Sequence, residues 1–194
     1  MLPEAYGGLD GDITSLCLVI EELAKVSGSA SLVPLAHNVG LMPVMVAAND
    51  DQKKYIYDKL TEPDKAYLFA FALTEPDAGS DASHMRTNVT KDGDYYYLNG
   101  KKSMITNGAN AQFFSVFATT DPKHRTEGIS AFYLEKDYPG VVIGKSEDKM
   151  GCAQPVGECD YTFDAAASVC RNCGSNSALR FVKMLIKRGH EAML

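Results

Sequence analysis

The sequence contains no tryptophan and no excess of positive charge. Its 194 residues include 19 lysines and arginines against 25 aspartates and glutamates, which gives a formal net charge of −6. Because an acidic chain is a poor partner for a phosphate backbone, a protein that mainly binds nucleic acid is excluded. Hydrophobic residues make up 45% and charged residues 23%. These values exclude a disordered chain, and the length predicts one globular domain or slightly more.

The sequence also lacks an export signal and a long apolar run. The N-terminus has neither a basic patch nor an apolar segment, and the most hydrophobic stretch, residues 41–48, is too short to span a bilayer. The five cysteines do not have the spacing of a disulfide framework, so we expect them to be reduced thiols. These absences predict a cytoplasmic location and no membrane partner.

The usual signatures of nucleotide and metal enzymes are missing as well. The sequence has no G-x-G-x-x-G after a strand, no glycine-rich loop that ends in lysine, and no His-Glu-x-x-His. A Rossmann enzyme, a P-loop nucleotidase and a zinc peptidase are therefore disfavoured. There is no internal repeat, and we predict no metal site.

Residues 11–60 have a helical pattern. Asp12 is placed to cap a first amphipathic helix, which residues 27–29 end. Residues 31–48 are apolar on nearly all sides, which predicts a buried segment folded as two short helices. This segment is interrupted at three positions: Pro34, Gly40 and Pro43. A third, amphipathic helix is predicted over residues 49–60.

From residue 67 onward the apolar period is that of strands. Residues 87–90 and 95–98 predict a hairpin, and Asn99-Gly100 predicts a second tight turn that leads into another strand. The predicted fold class is α+β, with N-terminal helices packed on an antiparallel β-barrel or sandwich and a C-terminal helix over residues 179–194. The predicted strands are residues 67–73, 87–90, 95–98, 102–106, 113–118, 129–134, 141–144 and 159–163.

Two loops are candidate ligand sites. In residues 73–81, Leu-Thr-Glu-Pro-Asp-Ala-Gly-Ser-Asp, the small residues and the hydroxyls of Thr74 and Ser80 suit close approach of a backbone to an anion or a polar ring. The alternative is a plain turn in which Ser80 or Asp81 caps the next element. In residues 104–108, Met-Ile-Thr-Asn-Gly, Thr106 ends a strand and can bond a ligand, or the segment is simply the end of a hairpin.

Taken in this order and at this distance, these segments resemble the acyl-CoA dehydrogenase family. Further similarity lies in residues 3–8, Pro-Glu-Ala-Tyr-Gly-Gly, in residues 128–132, Gly-Ile-Ser-Ala-Phe, and in residues 149–151, Lys-Met-Gly. The resemblance extends over residues 3–164. It divides the chain into a partial N-terminal helical domain (1–64), a β-barrel middle domain (65–164), and a degenerate linker with the start of a C-terminal helical domain (165–194).

The resemblance implies FAD as the cofactor. In that family the matching positions contact the isoalloxazine ring, with the Thr74 hydroxyl on its pyrimidine side and Thr106 near N5, and Ser80 also meets the CoA arm of the substrate. Hydrogen-bond donors at those places stabilise negative charge on the reduced ring. The implied cofactor-binding residues are Phe71, Ala72, Leu73, Thr74, Gly79, Ser80, Met104, Ile105 and Thr106.

The implied reaction is α,β-dehydrogenation of an acyl-CoA thioester. A glutamate base removes the α-proton while the β-hydrogen leaves as hydride to the flavin, and electrons then pass to an electron-transfer flavoprotein. The complete enzyme is expected to be a homo-oligomer.

The sequence departs from the family pattern in several places. Met104 stands where many relatives have an aromatic residue, and residues 165–173 lose the expected signals. The chain is expected to lack the family's first helices and the C-terminal helical bundle that usually carries the catalytic glutamate. Glu191 is the only carboxylate after Asp164, and a solvated helix residue is preferred over a base there, so no catalytic residue is assigned.

Three interpretations therefore stay open: the N-terminal and middle parts of an acyl-CoA dehydrogenase, a truncated chain that binds flavin or CoA without turnover, and a module stapled by zinc through Cys152, Cys159, Cys170 and Cys173. The helices are expected to expose apolar faces and to cause self-association. The basic side chains of Lys101, Lys102, Lys123 and Arg125 are interpreted as solvated rather than as CoA contacts.

Overall fold

The computed structural model of the protein describes residues 2–92, 95–151 and 159–168. The predicted helix over residues 179–194, Glu191, and Cys152, Cys170 and Cys173 lie outside these residues. Short 3-10 helices occupy Glu4–Tyr6, Ala82–His84 and Pro122–Gly128. The longer elements are α1 (Ile13–Val26), α2 (Gly28–Ala47), α3 (Asp50–Leu60), β1 (Phe69–Ala72), β2 (Asn88–Asp92), β3 (Tyr95–Ile105), β4 (Phe113–Thr119), β5 (Ile129–Glu135), β6 (Val141–Ser146) and β7 (Cys159–Ser168).

Side-chain caps set the helix starts, and the cap predicted at Asp12 is confirmed. The Asp12 carboxylate accepts a hydrogen bond from the Ser15 N–H at 2.8 Å and caps α1. Asn49 and Gln52 form a reciprocal capping box at the start of α3, at 2.9 and 3.0 Å. Each cap satisfies donors that a helix end leaves unpaired, so the sequence positions of these residues fix where the chain turns helical.

Helix α2 is one continuous element, and the prediction of two short helices is wrong. It runs from Gly28 to Ala47 with Pro34 and Pro43 inside it, although an interior proline costs about 3 kcal/mol of helix stability. Packing on the sheet offsets this cost. Leu41 is fully buried, and a Cβ built on Gly40 would lie only 2.9 Å from the Phe69 side chain, so glycine is required there for close contact with β1.

Helix α2 is longer than the apolar stretch that the sequence analysis considered as a membrane span. Residues 41–48 alone are too short, but Gly28–Ala47 is long and apolar enough to cross a bilayer by length and composition. A buried helix in the core of a water-soluble protein passes the same test. In this fold the buried side of α2 packs against β1 and α1.

Helix α1 leaves an apolar face uncovered. It has no buried residue, and Leu18, Val19 and Val26 are more than half exposed, at 59, 52 and 91%. Among the described residues, no element covers this face. The expectation of exposed apolar helices is confirmed for this part of the chain, and self-association stays a prediction.

The strands form one seven-stranded sheet in the order β1-β4-β2-β3-β7-β6, with β5 paired to the side of β4. The sheet is mixed, which corrects the prediction of a wholly antiparallel one. Strand β1 pairs with β4 in parallel, with Phe69 opposite Phe113, and Asn88 of β2 meets Thr119 of β4 in parallel. The reason is topological: the chain reverses once in the β2–β3 hairpin and again between β3 and β4, so β4 runs in the same direction as β1 and β2. Barrel or sandwich closure stays a prediction.

The second predicted turn, at Asn99-Gly100, is wrong. Strand β3 continues through both residues to Ile105, and the β3–β7 register shifts between Leu98 and Gly100 instead. Gly100 has a φ of +153°, and a Cβ there would lie 2.5 Å from the Thr87 hydroxyl oxygen and 2.6 Å from its Cα. The glycine therefore marks a bulge and a close approach to Thr87, not a hairpin.

A cluster around Glu135 joins helix α3 to the sheet. Both carboxylate oxygens of Glu135 accept hydrogen bonds from the Lys59 ammonium at 2.8 Å, and the hydroxyls of Tyr55 and Tyr133 donate to the same carboxylate. Burial alone would raise the pKa of Glu135, but these donors hold it below its ordinary value. The Lys59 and Glu135 side chains are only 26 and 19% exposed, so the pair is a structural link rather than a surface ion pair.

Acid is expected to destabilise the fold through His37. The ring Nδ1 accepts a hydrogen bond from the Phe69 N–H at 3.2 Å, and burial lowers the pKa of His37 to about 4. Protonation is therefore easier in the unfolded chain, so the stabilisation is complete above pH ~6.5 and is lost as the pH falls toward 4. At ~1.4 kcal/mol per pKa unit the loss amounts to about 3 kcal/mol. Urea unfolding between pH 7 and pH 4.5 measures it.

A His37→Gln variant is the matched comparison for this effect, because the Gln side-chain oxygen can still accept from Phe69 but does not titrate. The difference between the two unfolding curves removes the contribution of the carboxylates. We expect the wild type to lose stability faster than the variant below pH 6.5. Equal pH dependence in the two proteins would contradict the role given to His37.

Candidate functional site

The loop over residues 73–81 contains a tight turn that is closed by two backbone hydrogen bonds. The Glu75 N–H donates to the Ala78 carbonyl at 3.1 Å, and the Ala78 N–H donates back to the Glu75 carbonyl at 3.2 Å. Asp81 then caps the following 3-10 helix by accepting from the Ser83 N–H at 3.2 Å. The capping role that the sequence offered as the plain alternative for Asp81 is thus present, and it leaves Thr74 and Ser80 for other contacts.

Strand β3 holds the beginning of this loop. The Ser103 N–H donates to the Thr74 carbonyl at 2.9 Å, and the Lys102 ammonium donates to the Leu73 carbonyl at 3.0 Å. These bonds place the first candidate segment directly beside the second, because Met104 follows Ser103 in the chain. The two sequence motifs that were predicted to share one ligand therefore meet at the end of β3.

A buried ion pair lies under the loop. The Lys102 ammonium donates to a Glu75 carboxylate oxygen at 2.7 Å, with side-chain exposures of 0 and 3%. The other donors to this carboxylate are the backbone N–H groups of Arg86 and Thr87, at 2.6 and 3.0 Å. Interpreting Lys102 as solvated is wrong, since its side chain is completely buried.

The electrostatics of this pair keep both groups charged at neutral pH. Burial lowers the pKa of Lys102 to about 8, with the Glu75 charge opposing the shift. Burial alone would raise the pKa of Glu75, but the Lys102 charge and the hydrogen bonds it receives hold it below its ordinary value. A carboxylate with all its partners satisfied is a poor proton acceptor, so Glu75 is not a general base.

Met104 has an unusual backbone conformation at the point where β3 ends. Its φ is +57°, a left-handed value that costs a residue with a side chain about 1 kcal/mol or more. Met104 is 61% exposed between two buried neighbours, Ser103 and Ile105. Such strain is common where a side chain is aimed at a ligand, which agrees with the position of Met104 in the predicted flavin-contacting segment.

Asn107 ties the end of this segment to helix α2. Its amide N–H₂ donates to the Val33 carbonyl at 3.0 Å, the side chain is almost fully buried, and its φ is +62°. Asparagine adopts this left-handed conformation more readily than most residues with a side chain. Helix α2 is thereby held beside the segment that carries Met104 and Thr106.

The nine predicted cofactor-binding residues differ in how far their side chains are exposed to a ligand. The side chains of Ala72 and Ile105 are buried in the core, so they can serve a ligand only through their backbone. Phe71 packs its ring 4.8 Å from that of Phe117. The remaining six reach half-buried or exposed positions: Leu73, Thr74, Gly79, Ser80, Met104 and Thr106.

The hydroxyls of Thr74 and Ser80 are available. Within residues 2–92 and 95–151, neither side chain forms a hydrogen bond with the protein. Thr74 is half-buried and Ser80 exposed. A half-buried hydroxyl without a protein partner is suited to a polar ligand, since a ligand can then satisfy it. The arrangement provides hydroxyl donors on one loop and a soft thioether next to it.

Sequence reasoning missed the ion pair that supports the site. The signal was the strand period: positions 98, 100 and 102 lie on one face of a strand, and Leu98 and Lys102 are both buried. With that period Lys102 points into the core, where a charged side chain is stable only next to an opposite charge or hydrogen-bond acceptors. The partner, Glu75, comes from the neighbouring loop, which strand periodicity does not reveal.

Several solved structures share this fold, in which α2 packs on the mixed sheet and the loop after β1 is bonded to β3. A butyryl-CoA dehydrogenase from Megasphaera elsdenii matches with a TM-score of 0.84 and 36% identity, over 97% of this chain and 50% of that chain. An acyl-CoA dehydrogenase from Bacillus anthracis, solved in complex with FAD, matches with a TM-score of 0.76 and 35% identity, over 86% of this chain and 28% of that chain.

Another match is a structure described as an electron transferring flavoprotein of Acidaminococcus fermentans, with a TM-score of 0.80 and 39% identity, over 86% of this chain and 43% of that chain. Among curated proteins, a probable acyl-CoA dehydrogenase of Mycobacterium tuberculosis, FadE25, is 41% identical over 150 residues. That alignment includes 77% of this chain and 38% of the relative, so the chain spans about two-fifths of the length of this relative.

Two family models match the chain in succession. Residues 1–64 match the acyl-CoA dehydrogenase N-terminal domain, and residues 70–165 match the acyl-CoA dehydrogenase middle domain. The chain belongs to the acyl-CoA dehydrogenase family. The resemblance inferred from the two loop motifs is confirmed.

Proposed function

We propose that this chain forms the FAD-binding part of an enzyme that carries out α,β-dehydrogenation of an acyl-CoA thioester. The observation that carries the proposal is the pair of bonds that join the loop over residues 73–81 to β3, because they bring Thr74 next to Met104. Family membership supplies the reaction class, and the solved relative with FAD supports the cofactor. Since the chain spans only part of its relatives, the activity is proposed for the complete enzyme.

The residues present fit a flavin. An isoalloxazine ring has an apolar benzenoid end and a polar pyrimidine end, so it needs a soft apolar contact and hydrogen-bond donors in one place. Met104 offers an exposed thioether, which packs well on aromatic rings. Thr74 and Ser80 offer hydroxyls without protein partners in the described part of the chain. Bound FAD would supply the two-electron acceptor of the reaction.

The protein residues then act by binding and orientation. Thr74 and Thr106 would hold the ring through donors that favour its reduced, more negative state. The turn at residues 75–78 would keep Gly79 and Ser80 at the cofactor phosphate and the CoA arm, where Gly79 leaves open space. The remaining predicted contacts, through Phe71, Ala72, Leu73 and Ile105, would come from their backbone or from the half-buried side chains.

The proposed substrate is an acyl-CoA, and the proposed electron acceptor is an electron-transfer flavoprotein. The first rests on family membership. The second is supported by the structural match described as an electron transferring flavoprotein of Acidaminococcus fermentans. The truncated flavin-binding chain without turnover is the alternative, and the same experiment separates the two: flavin absorbance that copurifies with the protein and is bleached by an acyl-CoA supports the enzyme, and flavin that is not bleached supports the binding chain.

A Thr74→Val variant tests the cofactor site directly. Valine has the shape of threonine but no hydroxyl, so we expect FAD to bind about tenfold more weakly, equivalent to ~1.4 kcal/mol for one hydrogen bond. Fluorescence titration of the chain with FAD measures the change in Kd. The matched control is Thr14→Val, which makes the same substitution on α1, where residue 14 is exposed. Equal affinity of both variants and the wild type would rule out Thr74 as a flavin contact.

A further inference from the structure

The buried Lys102–Glu75 pair lies behind the proposed flavin loop and is directly bonded to it. The Lys102 ammonium has two described acceptors, the Glu75 carboxylate at 2.7 Å and the Leu73 carbonyl at 3.0 Å. The Glu75 carboxylate also receives the Arg86 and Thr87 N–H groups. The pair therefore connects three segments, and one of its bonds ends on the peptide that joins Leu73 to Thr74.

The peptide between Leu73 and Thr74 lies between Lys102 and the side of the loop where the flavin is proposed to bind. In a trans peptide the C=O and the following N–H point in opposite directions. Because the Leu73 carbonyl points at Lys102, the Thr74 N–H points away from it. Within residues 2–92 and 95–151 the Thr74 N–H donates to no protein acceptor. The next carbonyl, that of Thr74, is fixed separately by the Ser103 N–H at 2.9 Å, so the peptide cannot turn freely.

We propose that Lys102 is a positioning residue for the flavin, acting through the Leu73–Thr74 peptide. Its ammonium orients the Thr74 N–H toward the cofactor side and makes it a stronger donor, because a charged donor on the carbonyl polarises the amide. Glu75 balances the buried charge. This inference rests on the proposed flavin site and assigns to it a residue that does not touch the cofactor.

The role predicts a change in redox balance as well as in affinity. A polarised N–H stabilises a more negative ring more than a neutral one. Loss of the ammonium should therefore weaken binding of reduced FAD more than binding of oxidised FAD, and the midpoint potential of the bound flavin should fall. A residue that served only to hold the fold together would alter stability and leave this potential unchanged.

The test compares two variants that differ only at position 102. Glu75→Gln alone keeps the lysine and its bond to Leu73, whereas Glu75→Gln combined with Lys102→Met removes that bond. Both variants are measured at the same pH, below neutral, so that the Lys102 ammonium stays charged when Glu75 no longer opposes the effect of burial on its pKa. FAD affinity is measured by fluorescence titration, and the potential by reductive titration against a reference dye. Lys101→Met, at an exposed neighbouring position, controls for the loss of a positive charge near the site.

We expect the double variant to bind oxidised FAD several-fold more weakly than Glu75→Gln, and its midpoint potential to lie about 30 mV lower, the two-electron equivalent of a tenfold change. Lys101→Met should match the wild type. If the double variant folds and its potential equals that of Glu75→Gln, the inference is overturned while the flavin site stands. If the folded wild type binds no FAD, the proposed function itself fails.

Discussion

A Gly100→Ala variant is expected to lose about 3–5 kcal/mol of unfolding free energy, from backbone strain and overpacking together. The added methyl group would lie 2.5 Å from the Thr87 hydroxyl oxygen and 2.6 Å from its Cα. The second of these atoms is backbone, so no side-chain rotation relieves the contact. The φ of +153° adds strain for any residue with a Cβ. Urea unfolding at pH 7 measures the change.

Gly79→Ala is the matched control, because it makes the same substitution where no atom lies within 4 Å of the new methyl group. We expect its stability to be within about 0.5 kcal/mol of the wild type, as for an uncrowded surface substitution. If Gly100→Ala is as stable as Gly79→Ala, then β3 does not approach Thr87 as described.

The second large effect is expected for Lys102→Met. It leaves the Glu75 carboxylate buried and without its counter-charge, and breaking a buried pair in this way costs ~3–5 kcal/mol. Adding Glu75→Gln to the same chain removes the unpaired charge and should restore most of the lost stability. The coupling energy of the pair is the difference between two changes in unfolding free energy: that caused by Glu75→Gln in the Lys102→Met variant and that caused by Glu75→Gln in the wild type.

The wild type, the two single variants and the double variant of Lys102 and Glu75 form a double-mutant cycle. The comparison is the same cycle with Lys54→Met and Asp58→Asn, which removes the ion pair on α3 whose side chains are 67 and 57% exposed. An exposed pair of this kind contributes about 0–1 kcal/mol. Four unfolding curves for each cycle provide the coupling energies. A coupling energy for Lys102 and Glu75 no larger than that of the exposed pair would contradict the buried, fully bonded geometry.

Local sequence signals predicted the elements of this fold well, because each is fixed by chemistry within a few residues. Asp12 caps α1 as expected, the third helix begins where it was predicted, at Asn49-Asp50, and the β2–β3 hairpin pairs Val89 with Leu98. The errors arose where distant parts of the chain decide the outcome. The prolines in α2 are tolerated because of the packing of the helix on β1, and Gly100 is required by Thr87, not by a turn.

For the candidate site too, features encoded locally in the sequence could be predicted, and features that depend on contacts between distant residues could not. The order of the Thr74 and Thr106 segments identified the family, because motif spacing is retained in a linear sequence. Which side chains support those segments was not visible, since Lys102 and Glu75 are 27 residues apart and their contact depends on how a loop lies on a strand. The exposure of Met104 likewise follows from a backbone angle that its amino-acid type does not favour.

The bonds that cross between the helices and the sheet limit how this chain could be recombined with its relatives. Ser115 of β4 donates to the Gly40 carbonyl of α2 at 2.7 Å in the buried interior, Asn107 donates to Val33, and Lys59 pairs with Glu135. A chimaera that takes residues 1–64 from one homologue and the rest from another would separate all three pairs at a single junction. Such grafts should fold only when the donor and acceptor halves carry matching partners at these positions.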